Sequence, residues 1–120
     1  MSGRAAISAG ELAASTEALV VLIAIPMVDA PGLARRLVEE GRAACVNQLP
    51  CVHSTYVWDG RVEEADEALL LVKTTVAGYP ALERRVRELH PYDVPEVLAV
   101  PVAAGLESYL DWLKRSVTSA

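Results

Sequence analysis

The feature that most limits the fold of this sequence is a pair of extended segments joined at Asp59-Gly60. Residues 52–58 lead into the dipeptide, and residues from Val62 through Thr75 follow it. Because Asp-Gly readily adopts the left-handed backbone of a tight two-residue turn, the two segments are predicted to pair as antiparallel strands. A long β-hairpin therefore occupies the middle of the chain.

The segment before the hairpin carries a strand, a helix and a second extended stretch. Ala18–Ile25 is continuously apolar and rich in β-branched residues, as expected of a strand buried on both faces. A helix is predicted next, with Asp29 as its N-cap and Gly41 at its end. Residues 44–48 are predicted to be extended, with a kink at Pro50 before the hairpin begins.

The segment after the hairpin carries a helix, a strand and a last helix. Residues 80–89 have the apolar period of a helix, and residues 97–102 are predicted to form a strand. Pro101 has no N–H for a ladder, so this strand is expected at a sheet edge or bulge. Gly105 precedes a last helix. The side chains expected to face inward from this helix are Leu106, Tyr109, Leu110 and Leu113.

The order β-α-β-β-α-β plus a terminal helix is that of an α+β, ferredoxin-like split βαβ sandwich, with an antiparallel sheet and helices on one face. Residues 18–118 form this single domain, and residues 1–17 are expected to be a flexible tail. The hairpin strands carry apolar residues on both faces, so the face without helices would be apolar as well. Such a surface predicts self-association.

Composition excludes several classes of partner. The 120-residue chain has a formal net charge of -5 and a pI near 5.0, which disfavours nucleic acid. The longest apolar run, residues 18–28, is too short to span a bilayer. No export signal is recognisable, so a cytoplasmic location with reduced cysteines is expected.

Residues 90–96, His90-Pro91-Tyr92-Asp93-Val94-Pro95-Glu96, connect the second predicted helix to the strand that follows. The segment has no glycine, and its two prolines restrict the backbone on both sides. It is predicted to be a stiff loop that carries an imidazole, a phenol and two carboxylates. Two interpretations stay open, namely a binding loop and a helix end whose polar groups bond to nearby backbone.

Several separated motifs together resemble the CutA family, the divalent-cation tolerance proteins, over nearly all of the chain after the tail. The motifs are Ala43-Ala44-Cys45-Val46-Asn47, then Pro50, Ser54, Tyr56, Trp58 and Gly60, then Leu70-Leu71-Val72-Lys73-Thr74, His90-Pro91-Tyr92, Val94-Pro95-Glu96 and Tyr109-Leu110-Trp112. The resemblance implies a homotrimer with architecture like that of the PII signalling proteins. It also implies a response to metal ions, with copper binding attributed to members. Asp93 departs from the glutamate common in the family.

Lys73 interrupts an apolar strand, and a charged group there needs a partner. Three carboxylates are candidates for that partner, namely Glu67, Asp93 and Glu96. With the aromatic and imidazole side chains of Tyr56, Trp58, His90 and Tyr92, these residues are predicted to line a cleft between subunits that binds a small ligand. The alternative is a salt-bridged network that fixes the register of the trimer.

A metal site is a second candidate. Cys51 and His53 are two residues apart on a predicted strand, so their side chains would share a face and could bind copper or zinc. Cys45 lies in the family motif and is a third candidate ligand. The alternative is ordinary packing, with Cys45 as a small apolar side chain and Cys51 beside a surface imidazole.

The function predicted from these residues and from the resemblance is a trimeric protein of metal tolerance that binds copper or a small ligand, with no required cofactor. A PII-like signalling or interaction module without a direct metal role is the alternative. An enzyme that uses His90, Tyr92 and Glu96 for acid–base chemistry is a third hypothesis. No catalytic activity is expected, because the sequence shows no nucleophile–base pair or phosphate-binding glycine loop.

Overall fold

The computed structural model describes residues 16–118. The predicted tail at residues 1–17 therefore lies outside the described residues, apart from its last two positions. Four strands and three helices are present in the described part. They are β1 (Ala18–Ile25), α1 (Ala30–Glu39), β2 (Cys45–Trp58), β3 (Arg61–Thr75), α2 (Tyr79–Leu89), β4 (Val97–Pro101) and α3 (Glu107–Ser116). None of these helices is long and apolar enough to cross a membrane.

The four strands form one sheet in the order β2-β3-β1-β4, and every neighbouring pair is antiparallel. Each helix crossover therefore skips one strand position, which is the split βαβ arrangement predicted from the order of elements. Strand β4 lies at the edge of the sheet, where Pro101 pairs with Leu19. The edge position fits a residue that cannot donate a ladder hydrogen bond.

The turn between β2 and β3 sets the register of the hairpin. Asp59 and Gly60 have φ values of 52° and 75°, the left-handed pair of a type I′ turn. Trp58 consequently faces Arg61, and the pairing continues to Val52 opposite Glu67. The register then shifts between Leu49 and Val52, so β2 is one bulged strand where the sequence predicted two segments separated by a kink.

Helices α1 and α2 cover one face of the sheet and bury the main core. Alternate residues of β1 and β3 point toward these helices and are almost fully buried. The fully enclosed members of this core with the largest side chains are Ile23, Ile25, Leu37, Leu70 and Leu82, together with Val21, Val72 and Val86. Helix α1 faces the core with Leu33, Ala34 and Leu37 as predicted, whereas Val38, also expected on that stripe, is 43% exposed. Helix α2 buries Leu82 and Val86 as predicted.

The other face of the sheet has no covering from α1 or α2 and is strongly apolar. Its central positions in β1 and β3 are half-buried, and they include Val20, Leu22, Leu69 and Leu71. Toward the two sheet edges the exposure of Leu49, Leu98 and Val100 rises to 44%, 56% and 47%. We call this surface the open face. Its apolar character agrees with the prediction from the sequence, and most of the face is without helices, as expected.

Helix α3 packs at the end of the sheet where β1 begins. Its Leu113 is buried, and together with Val117 it contacts Ala18. The prediction that Leu106 and Tyr109 also face inward is wrong for the single chain, since they are 73% and 42% exposed. Leu106 precedes the helix with extended backbone, so its side chain does not follow the helical stripe.

The predicted N-cap at Asp29 is correct in position and wrong in chemistry. Asp29 precedes α1, but its side chain makes no capping hydrogen bond. A capping side chain normally extends from β-region backbone, whereas Asp29 has φ of -91° and ψ of -16°. Its carboxylate instead contributes to the raised pKa of Tyr92, in the loop of residues 90–96.

Two glycines with positive φ provide a matched test of backbone conformation. Gly60→Ala should lower the free energy of unfolding by about 1 kcal/mol, because the turn is strained but a new Cβ meets nothing within 4 Å. Gly41→Ala should cost more, because its Cβ would lie 2.5 Å from Oγ1 of Thr118. Urea unfolding of both variants measures the difference between their losses of unfolding free energy. Equal losses would show that Thr118 moves away from the new Cβ at no cost.

Candidate functional site

A cavity of about 590 Å³ lies on the open face, beside the end of β1 and beneath the loop of residues 90–96. Six of the eight side chains predicted for a ligand cleft line it, namely Tyr56, Trp58, Glu67, Tyr92, Asp93 and Glu96. Ala24, Ser54, Thr55 and Val94 complete the lining. The cavity therefore joins the hairpin and the loop, the two segments that carry most of the polar chemistry of the chain.

The hairpin register explains why these side chains share one face. Val52 pairs with Glu67, so Val52, Tyr56 and Trp58 lie on the same side of the sheet as that carboxylate. Ala24 of β1 lies on this side too, and its small side chain leaves room above the strand. The cavity is consequently bounded by three strands and closed on one side by the loop.

The loop reaches the sheet through a phenol–carboxylate contact. The Tyr92 hydroxyl donates a hydrogen bond of 3.1 Å to Oε2 of Glu67, a side chain that is only 6% exposed. The pKa of Tyr92 is raised, first by burial and then by Glu67, with smaller contributions from Tyr56 and Asp29. The phenol thus stays protonated at neutral pH and works as a donor to the buried carboxylate.

His90 holds the loop in place from inside the protein. The main-chain N–H of Tyr92 donates to Nδ1 of His90 at 3.1 Å, so the ring proton is on Nε2. Nε2 in turn donates to the carbonyl of Ala24 at 2.7 Å, and the ring is 93% buried. The prediction that His90 lines the cleft is therefore corrected. Both of its nitrogens are used by backbone groups, which supports the interpretation of this residue as part of a satisfied helix end.

Lys73 is also absent from the cavity. It is six residues from Glu67 along β3, about 20 Å in an extended strand. Its ammonium group donates to Oδ1 of Asn47, and it pairs across the sheet with Cys45. The predicted pairing with Glu67, Asp93 or Glu96 is wrong within the chain, since the amide of the neighbouring strand supplies the acceptor.

The candidate metal ligands are separated by the bulge in β2. Cys45 lies opposite Lys73 on the open face, with Sγ 3.9 Å from Oδ1 of Asn47. The register shift between Leu49 and Val52 reverses the parity, so His53 lies on the opposite side of the sheet from Cys45. Both cysteines are free thiols, and Cys51 is exposed beside the bulge. Within residues 16–118 no three Cys, His, Asp or Glu side chains converge as a metal site.

His53 instead has two acidic neighbours that sequence reasoning missed. Nδ1 lies 2.8 Å from Asp66 and Nε2 lies 2.7 Å from Glu64, both on the facing strand. Since carboxylates only accept, this geometry suits the imidazolium, and the pKa of His53 is raised by Asp66 first and then Glu64. The signal was available, because a two-residue turn at 59–60 places His53 opposite Asp66.

Comparison with known proteins agrees with the fold and the motifs. Residues 19–116 match the model of a family described as CutA1 divalent ion tolerance protein. A divalent-cation tolerance protein CutA of Thermus thermophilus is 52% identical over 98 residues, which cover 81% of this chain and 95% of that protein. A chloroplastic protein CutA of Arabidopsis thaliana is 40% identical over 88% of this chain, which spans 59% of that longer protein.

The backbone is also similar to solved structures of CutA proteins. The divalent cation tolerance protein from Thermus thermophilus superposes with a TM-score of 0.82 at 50% identity, covering 84% of this chain and 99% of the other. A PII-like protein CutA from Nostoc, in apo form, superposes with a TM-score of 0.81 at 36% identity, covering 85% and 99%.

Removing the buried imidazole should loosen the loop. His90→Ala leaves the Ala24 carbonyl and the Tyr92 N–H without partners, so we expect a loss of about 2 to 4 kcal/mol in unfolding free energy. Amide exchange at Tyr92 should accelerate in the same variant. His53→Ala is the matched control, because that ring is exposed and should leave Tyr92 exchange unchanged. Equal exchange at Tyr92 in wild type and His90→Ala would contradict the anchoring role.

The His53 contacts predict a pH dependence of defined sign. The folded-state pKa lies above the ordinary 6.5, so the contacts stabilise the protein fully below that value and lose their effect as pH rises through the folded pKa. A proton NMR titration should show that Asp66→Asn lowers the pKa of His53 more than Glu64→Gln does. A pKa of His53 at or below 6.5 in the wild type would contradict these contacts.

Proposed function

Since this chain belongs to the CutA1 divalent ion tolerance family, we propose that it acts in metal tolerance as a homotrimer that binds a small ligand in clefts between its subunits. The observation that carries the proposal is the cavity in which Glu67, Tyr92, Asp93 and Glu96 meet the rings of Tyr56 and Trp58. Pockets that combine aromatic walls with a few convergent polar groups are characteristic of small-molecule sites.

The open face supports the oligomer. Exposed apolar positions at Leu49, Leu98 and Val100 continue a half-buried apolar centre, and a contiguous surface of this kind is rarely left in water. A cyclic arrangement of three copies buries three such faces around one axis. The cavity lies at the end of the same face, so a neighbouring subunit would reach its rim.

Direct copper binding is the second form of the proposal. Cys45 and His53 lie on opposite sides of the sheet, so the three candidate ligands do not fit a closed site within one chain. Copper held by Cys45, Cys51 or His53 would need donors from more than one subunit. Such a site would form only when subunits assemble, whereas the cavity is already present in one chain. The small-ligand form of the proposal is therefore preferred.

A PII-like binding module is the alternative to a direct metal role. The Nostoc relative is named a PII-like protein, and the shared backbone favours ligand-dependent interaction as a mode of action. Catalysis receives less support, because the ring nitrogens of His90 are already bonded to backbone groups. We propose a cytoplasmic location, since the exposed thiol of Cys51 suits a reducing compartment.

Native mass spectrometry tests the assembly and the metal question together. The reduced protein should appear as trimers, and added Cu(I) should leave most of them metal-free after a mild chelator, with Zn²⁺ as a comparison. Trimers that retain whole-number copper would favour the direct-binding form. A monomer would contradict the proposed cleft between subunits.

Variants identify the ligands if copper is retained. Cys45→Ser and His53→Gln test the two sides of the sheet separately, whereas Cys51→Ser tests the exposed thiol at the bulge. Loss of copper in only one of these variants would place the site on that side of the sheet. Retention in all three would show that copper binds elsewhere.

A further inference from the structure

The charged side chains that line the cavity are all negative. Its lining includes three carboxylates, from Glu67, Asp93 and Glu96, and no lysine, arginine or histidine among the described lining residues. Asp29 adds a fourth acid nearby, since its charge contributes to the raised pKa of Tyr92. The chain as a whole carries a net charge of -5, so no general positive field offsets this group.

Glu67 places a nearly buried carboxylate in the lining of the cavity. Its Oε2 accepts a hydrogen bond from Tyr92. The residue is 94% buried, so its negative charge is only partly solvated. A buried carboxylate is costly without a compensating charge, and a cationic group in the cavity would supply one.

Three aromatic rings complete the wall around these acids. Tyr56 and Trp58 project from β2 on the face that carries Glu67, and they are 43% and 55% exposed. Tyr92 approaches from the loop on the other side. Aromatic faces attract cations electrostatically, and a group of such faces with nearby carboxylates recognises ammonium groups that carry apolar substituents.

We propose that the ligand of this cavity is an organic cation, an ammonium or guanidinium group attached to a partly apolar body. This inference rests on the proposed function in placing a small ligand in this cavity, and it adds the chemical class. The cationic group lies against the carboxylate of Glu67, and the apolar body lies against Trp58 and Tyr56. Anionic metabolites are disfavoured, because every charged side chain that a single chain contributes to the lining would repel them.

An inorganic divalent ion suits the cavity less well than an organic cation. No three metal-ligating side chains converge within the described residues, and the cavity has room for much more than an ion. Aromatic rings also supply no ligands of the kind that hard divalent ions prefer. Organic cations use the carboxylates and the rings together.

Choline and its neutral carbon isostere, dimethylbutanol, provide the probe and its control. We expect choline to shift the Trp58 indole signal of the trimer saturably in NMR titrations, and the neutral isostere to produce no saturable shift. Glu67→Gln should weaken choline binding about tenfold, because the amide removes the charge while it still accepts from Tyr92.

Glu39→Gln is the matched control, since it removes the same charge from the outer side of α1 and should leave affinity within about twofold of wild type. Tyr56→Leu and Asp93→Asn replace exposed side chains and keep the Trp58 indole as the NMR signal, so they test the same contacts if Glu67→Gln fails to fold. Each should weaken choline binding by a factor of about three to ten.

Four results would overturn the inference. They are equal binding of the isostere, equal affinity in the Glu67 and Glu39 variants, Ca²⁺ that displaces choline at comparable concentration, and ATP that saturates the cavity in place of choline. In the last case the ligand cleft stands and only its charge class is wrong. If trimers bind neither cations nor anions in the cavity, the proposed function fails as well.

Discussion

The register of β2 against β3 is the constraint on which the rest of the structure depends. The left-handed turn at Asp59 and Gly60 fixes the pairing, and the pairing places Trp58 on the side of the sheet that carries Glu67. The bulge near Leu49 then reverses the parity of β2, so that Leu49 before the bulge and both Tyr56 and Trp58 after it lie on the open face. A one-residue slip would remove both the apolar face and the cavity.

The loop of residues 90–96 makes hydrogen bonds on two sides, to the protein interior and to the cavity wall. His90 bonds inward to β1 and to its own loop, whereas Tyr92 extends outward to Glu67. The two prolines limit the backbone between these contacts, so a few hydrogen bonds are sufficient to hold the loop. Stability and binding are therefore coupled, because the bonds that end helix α2 also position one wall of the cavity.

The sequence was sufficient for the order of elements, the hairpin and the edge strand with Pro101, since these follow from local pattern and turn chemistry. The cavity side chains were grouped through the family resemblance, and the pairing with Lys73 that was expected of the three carboxylates is not formed within the chain. The sequence was insufficient for Lys73 and His90, because their partners, Asn47 and the Ala24 carbonyl, depend on three-dimensional register and depth. The His53 contacts are an intermediate case. The turn alone gives the pairing with Asp66, but it does not reveal that Glu64 reaches the other nitrogen.

Removal of water has opposite effects on the free energy of the open face and of the cavity. An apolar surface gains from exclusion of water when subunits associate, whereas buried carboxylates lose solvation by the same process. Glu67 is at the boundary between the two, already 94% buried in the single chain and bonded to Tyr92 through Oε2. Association on the open face would desolvate Glu67 further, and that cost falls if a cation enters the cavity. If the proposed trimer and the proposed cation both form, each should therefore stabilise the other, because thermodynamic linkage between two binding processes is reciprocal.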